Sequence, residues 1–137
     1  MTSRSVAYYW EIVSLISDHN HCIMCHEISD IDMFDLSGLI ELKLIFSDNA
    51  KLVANFIIRF NDRPHEYDYY YGFYDSSGQR LFYYDDARHH PEISTHPNHL
   101  HRRKSLSEDS YRVCAIDIPE VSFRNILNKI IARYETE

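Results

Sequence analysis

The chain has 137 residues, is 45% hydrophobic and 26% charged, and carries a formal net charge of −7. That is enough chain for one domain, residues 1–137, with its own core. Three glycines and four prolines are too few for a linker-rich or disordered protein. The acidic balance argues against non-specific nucleic-acid binding, and no apolar run approaches the roughly 18 residues that span a bilayer. The first residues lack the apolar core of a signal peptide, so a cytoplasmic address is expected. Cys22, Cys25 and Cys114 make no disulfide framework and fit a reducing compartment.

Residues 5–17 predict a helix, with Val6, Trp10 and Val13 on one stripe and Tyr9, Ile12 and Ile16 beside it. Ser17-Asp18-His19-Asn20 ends it. Residues 22–28 are compatible with a first strand, and Asp30, Asp32 and Asp35 make the following stretch loop-like. Ile40, Leu42, Leu44 and Phe46 alternate with Glu41 and Lys43, which predicts a strand over 39–46. Residues 47–50 form a hairpin turn. Leu52, Ala54, Phe56, Ile58 and Phe60 are the inward face of the next strand. After a turn at 61–64, Tyr67, Tyr69, Tyr71 and Phe73 alternate with Asp68, Tyr70, Gly72 and Tyr74, giving a third strand with an aromatic face. Asp75 to Gly78 is a tight turn with Gly78 left-handed. Residues 80–85 return as a fourth strand, 92–110 read as irregular, and 111–116 as a short extra strand. Ser122 caps a last helix whose stripe is Ile126, Leu127, Ile130, Ile131 and Tyr134, with Val121 and Ile126 at staple positions. The expected fold class is α+β: an antiparallel meander of four to five strands, packed with an N-terminal and a C-terminal helix.

The chemistry concentrates in one place. Five of the nine histidines fall between His89 and His101, just after the paired carboxylates Asp85 and Asp86. Residues 88–104 also hold Arg88, Arg102, Arg103 and Lys104 against the single acid Glu92, a basic loop on an acidic body. Groups that exchange protons near neutral pH, beside a carboxylate that orients them and a cation that holds a phosphate, suit general acid–base chemistry. The plain alternative is a solvated His-rich loop. A divalent ion such as zinc or manganese is a further alternative, although no fixed spacing such as His-x-x-x-His is present. Cys22 to His26, with His19 and His21 nearby, lacks the second half of a zinc site and reads as buried small residues. The tyrosines at 67, 69, 70, 71 and 74 could stack bases, but alternation more simply divides them between core and wet face. Tyr83 and Tyr84 lead directly into the loop, so at least one of them is expected to line the site. There is no Walker loop, dinucleotide fingerprint or nucleophile elbow.

Leu81-Phe82, Tyr84-Asp85-Asp86-Ala87, His89-His90-Pro91 and Pro97-Asn98-His99-Leu100-His101 together resemble the TumE family of small prokaryotic toxin–antitoxin proteins. The resemblance extends loosely over residues 36–133, and it favours Asp85, His89, His90, His99 and His101 over His96. The chain departs from the family at Tyr83, Asp86, Arg88 and Asn98. The resemblance implies the toxin of a two-gene pair, neutralised by a small helix-turn-helix antitoxin. The combined expectation is an enzyme acting on RNA or nucleotides without a metal or other cofactor. His89, His90, His99 and His101 supply acid and base, with Asp85 or Asp86 orienting one of them. Arg88, Tyr84 and Arg102 bind substrate. Two histidines suffice for RNA cleavage, where the 2′-hydroxyl is the nucleophile. The competing expectation is a non-catalytic module whose acidic surface binds a basic DNA-binding partner; a second copy of the chain is the other partner to consider.

Overall fold

A computed structural model describes residues 3–31, 37–60 and 64–135. The chain runs α1 (Ser3–Ser17), β1 (Ile23–Ile31), β2 (Ser37–Phe46), β3 (Lys51–Phe60), β4 (Pro64–Tyr74), β5 (Arg80–Asp85), β6 (His99–Arg103), β7 (Tyr111–Cys114) and α2 (Phe123–Ile131). The strands form one antiparallel sheet in the order β1 to β7, each paired with its neighbour in sequence. The class is α+β as expected, but the sheet has seven strands where the alternation predicts four or five. The extra ones are β1, which takes the ambiguous segment through Ile31, and β6, which lies inside a stretch read as irregular. Expectations for Asp32, Asp35 and the turn at 61–63 fall outside the described residues. No helix is long and apolar enough to cross a membrane among the described residues.

Period-two alternation gives the sheet one dry face. Ile40, Leu42, Leu44 and Phe46 of β2, Leu52 to Phe60 at alternate positions of β3, Tyr71 and Phe73 of β4, Phe82 and Tyr84 of β5, and Leu100 of β6 are all buried. Both helices cover that face. Ser122 accepts the backbone N–H of Asn125 as the α2 N-cap, and Phe123, Ile126, Leu127, Ile130 and Ile131 are buried beneath the helix. Tyr134 stacks on Phe46 at 5.1 Å. In α1 the buried residues are Tyr8, Ile12 and Ile16. The predicted stripe through Val6 and Trp10 is therefore rotated: these two are 39% and 59% exposed, because apolar residues on both sides of this helix leave its phase ambiguous.

One irregularity reorganises β4. Asp68 has φ 48°, and the pairing with β3 shifts between Asn55 and Ile57, a bulge that inverts the alternation. Tyr67 consequently leaves the inner face to which its spacing assigns it, and its hydroxyl accepts from Arg59 at 3.0 Å. Glu66 turns inward instead. Its carboxylate accepts from the Tyr8 hydroxyl at 2.8 Å, from the Tyr71 hydroxyl, and from the Phe123 N–H at 3.0 Å. One acid thereby joins α1, β4 and the positive end of α2. Burial raises the pKa of Glu66 against the pull of these donors. Glu66→Ala strands two buried tyrosine hydroxyls and a helix N–H, and the expected loss in urea denaturation is about 2–4 kcal/mol. Glu66→Gln, which keeps an acceptor, is expected to lose less.

Candidate functional site

The face turned away from the helices carries the histidines. β5 pairs with β6 so that Asp85 lies opposite His99 and Tyr83 opposite His101. In a strand, residues two apart share a face, so Tyr83, Asp85, His99 and His101 share one and Tyr84, Leu100 and Arg102 the other. His99 Nε2 lies 2.6 Å from Asp85 Oδ1, and His101 Nε2 lies 3.7 Å from Oδ2 of the same carboxylate. His90, on the loop between β5 and β6, closes the group: its ring centroid is 5.0 Å from that of His99 and 5.7 Å from that of His101.

Each of these rings is held. His99 is 1% exposed and its Nδ1 is 2.8 Å from the Pro97 carbonyl. A carbonyl only accepts, so Nδ1 carries a proton. The short Nε2–carboxylate contact then requires a second proton shared between His99 and Asp85. His90 Nδ1 is 3.2 Å from Glu92 Oε1. His101 stacks on Tyr83 at 4.1 Å with planes 6° apart, and Arg80 lies 3.8 Å over the same tyrosine ring. Burial lowers the His101 pKa to about 4; nearby Asp85 opposes the shift, and His99, His90 and Arg80 add to it. At neutral pH His101 is therefore a neutral imidazole beside the His99–Asp85 contact.

The loop from Asp86 to Asn98 is pinned along its length. Asp86 accepts the N–H groups of Asp68 and Tyr69 at 2.9 and 3.1 Å, and burial raises its pKa against them. Tyr69 donates to Asn98 Oδ1 at 2.7 Å. Thr95 donates to the Asn98 carbonyl at 2.6 Å and accepts from Ile116 N–H at 3.1 Å.

The expected site residues thus divide. Asp85, His90, His99 and His101 converge. Asp86 caps the β4 bulge and does not face the histidines. His89 and Arg88 are exposed; Arg88 lines a separate cleft of about 370 Å³ with Tyr69 and Asp86. Tyr84 and Arg102 lie on the helix side. There the Tyr84 hydroxyl donates to Asp117 at 2.5 Å and accepts from Lys129 at 2.5 Å, and Arg102 pairs with Asp117 at 2.7 Å. Burial, followed by the Asp117 hydrogen bond, keeps that hydroxyl protonated. Glu92 and Arg80 belong to the site and are absent from the sequence-based set, and of the two tyrosines leading into the loop it is Tyr83, stacked on His101, that lines it. Tyr83 was detectable, because it sits two residues before Asp85 on the same strand.

One ring nitrogen from each of His90, His99 and His101 lies within 4.8 Å of the others, so these three could hold a divalent ion. Away from the site, Cys22 is buried and Cys25 exposed, so the pair does not converge as two buried small residues.

The His101 environment has a measurable consequence. Its imidazole proton signals are expected to titrate with a midpoint near pH 4 by NMR, against about 6.5 for a free histidine. The unfolded chain takes up this proton first as the pH falls, so stability is expected to drop between about pH 6.5 and 4. His101→Asn should flatten that dependence in unfolding experiments.

No curated protein and no solved structure matches the chain. A family model described as Toxin TumE matches residues 13–134, a span that includes every residue of the histidine group and all seven strands. The chain belongs to the TumE toxin family.

Proposed function

We propose that this toxin cleaves RNA by proton transfer at the group formed by His90, His99, His101 and Asp85. The observation that carries the reading is the clustering of three imidazoles, two of them on the Asp85 carboxylate, brought together from two strands and a loop on the sheet face opposite the helices. His101, neutral at pH 7, takes the proton of a 2′-hydroxyl as that oxygen attacks the adjacent phosphorus. His90, held at Nδ1 by Glu92, gives a proton to the departing 5′-oxygen as the P–O5′ bond breaks. The products are a 2′,3′-cyclic phosphate and a 5′-hydroxyl. His99 is too buried to touch substrate and acts as a positioning residue, fixing Asp85 beside His101. The net charge of −7 favours a short footprint over long RNA.

His101→Ala and His90→Ala are each expected to reduce cleavage of an unstructured RNA by about 10²–10⁴-fold and to abolish growth arrest, with the fold intact by circular dichroism. A single 2′-deoxy substitution at the cut position should block the reaction. Growth arrest that survives both histidine variants, or cleavage that survives the 2′-deoxy substitution, overturns the mechanism.

The partner that fits this reading is a small helix-turn-helix antitoxin, whose basic DNA-binding surface complements the acidic chain. Co-expression with the product of the neighbouring gene is expected to yield a stoichiometric complex that dissociates as salt is raised. Free toxin in such a preparation rules this partner out.

A further inference from the structure

Beside the histidine group the same sheet face carries a second construction that the proton-transfer chemistry leaves unused. Arg80, at the start of β5, lies between the rings of Tyr83 at 3.8 Å and Tyr111 at 4.9 Å. Its Nε donates to the Tyr111 hydroxyl at 3.2 Å and its Nη1 to the Tyr70 hydroxyl at 3.0 Å. Among the described residues no carboxylate pairs with it, and Nη2 has no acceptor. A half-buried guanidinium held between two tyrosine rings and by a third tyrosine's hydroxyl, and left without a counter-charge among the described residues, is prepared for an anion. Glycine makes the arrangement possible. A Cβ on Gly72 would lie 2.3 Å from the Tyr70 hydroxyl, so the bare backbone of β4 is what lets Tyr70 lie across the strand and reach Arg80.

Arg80 opens into a cleft of about 610 Å³ walled by the turn before β5 and the loop between β6 and β7, and lined by Tyr74, Arg80, Arg103, Leu106 and Tyr111 among others. Gln79 Nε2 donates to the Leu106 carbonyl at 3.0 Å and ties the two walls together. The remaining charges are spoken for. Arg103 pairs with Asp109 at 3.2 Å and donates to the Arg80 carbonyl at 2.6 Å, and Glu108 accepts from Ser110 at 2.7 Å. That leaves one unpaired cation, with Leu106 65% exposed beside it. The ring of Tyr83 alone separates Arg80 from His101.

We infer that this cleft is a nucleotide subsite, in which Arg80 binds the phosphate next to the scissile one and Leu106 and Tyr74 pack against its base. The inference rests on the ribonuclease reading and specifies its substrate as a single-stranded RNA held one nucleotide away from the cut. One phosphate-binding arginine with a single leucine and a tyrosine to pack on suits a short strand, so the subsite is expected to tolerate any base.

The test is fluorescence polarisation at low salt with a 5′-fluorescein tetraribonucleotide carrying 2′-O-methyl riboses, which the enzyme cannot cut. Arg80→Gln and Leu106→Glu are each expected to raise Kd by about tenfold, whereas Arg59→Gln, an exposed arginine on β3, should change it less than twofold. Leu106 is exposed enough that its substitution spares the fold. An unchanged Kd in both cleft variants, an equal loss in Arg59→Gln, or no binding by the wild-type chain overturns the subsite. The two readings fail separately. Cleavage of unmodified RNA with unaltered KM in both variants removes the subsite and leaves the chemistry. Probe binding lost in both variants, with no cleavage by the wild-type chain, removes the chemistry and leaves the subsite.

Discussion

The register between β5 and β6 is the constraint on which the site depends. It sets Asp85 opposite His99 and Tyr83 opposite His101, and the pleat sends all four to the face that the helices leave bare. A slip of one residue would exchange the faces, burying the histidines under α2 and exposing Tyr84 and Leu100. Register is secured from the other side of the sheet: Phe82, Tyr84 and Leu100 are core residues, and Tyr84 is further locked to Asp117 and Lys129. The hydrophobic face therefore fixes the geometry of the polar one.

Three acids close together in this region do three different jobs, and their surroundings decide which. Asp85 meets two imidazoles. Asp86, the next residue, is spent on two backbone N–H groups at the β4 bulge. That bulge in turn delivers Glu66 to the interior, where it joins both helices to the sheet. The Asp86 contact with β4 therefore reaches the histidine face only indirectly, by holding one end of the loop whose other end carries His99.

Much of this was legible from sequence, and the failures have physical causes. β2, β3 and β5 and the α2 stripe declare themselves because one face is apolar throughout. β6 does not, since its only core residue is Leu100, flanked by histidines and arginines that alternation cannot distinguish from a loop. Tyr67 was misassigned because a single left-handed residue, Asp68, breaks the period, and Asp carries no sign that it will do so. The density of histidines was visible, and so was Asp85. Which histidines meet was not, because His90 arrives from a loop whose path follows from the anchors at Asp86, Thr95 and Asn98. Tyr84 and Arg102 were chosen for proximity in sequence, and strand parity places them on the opposite face. Arg80 carries no signal in the sequence, because Tyr70 and Tyr111 are brought to it only by the neighbouring strands.

The meander itself bears on how this toxin comes into being. Every strand pairs with its neighbour in sequence, so the sheet assembles through successive short-range closures, a topology associated with rapid folding. The widest closure within it is the span from Asp86 to Asn98 between β5 and β6, and ordering that span carries the largest entropic cost among the hairpins. The strands before it can form a sheet with a core and no chemistry. Until β6 docks, the group of Asp85, His90, His99 and His101 does not exist, so the face it occupies is among the last parts of the sheet to be assembled.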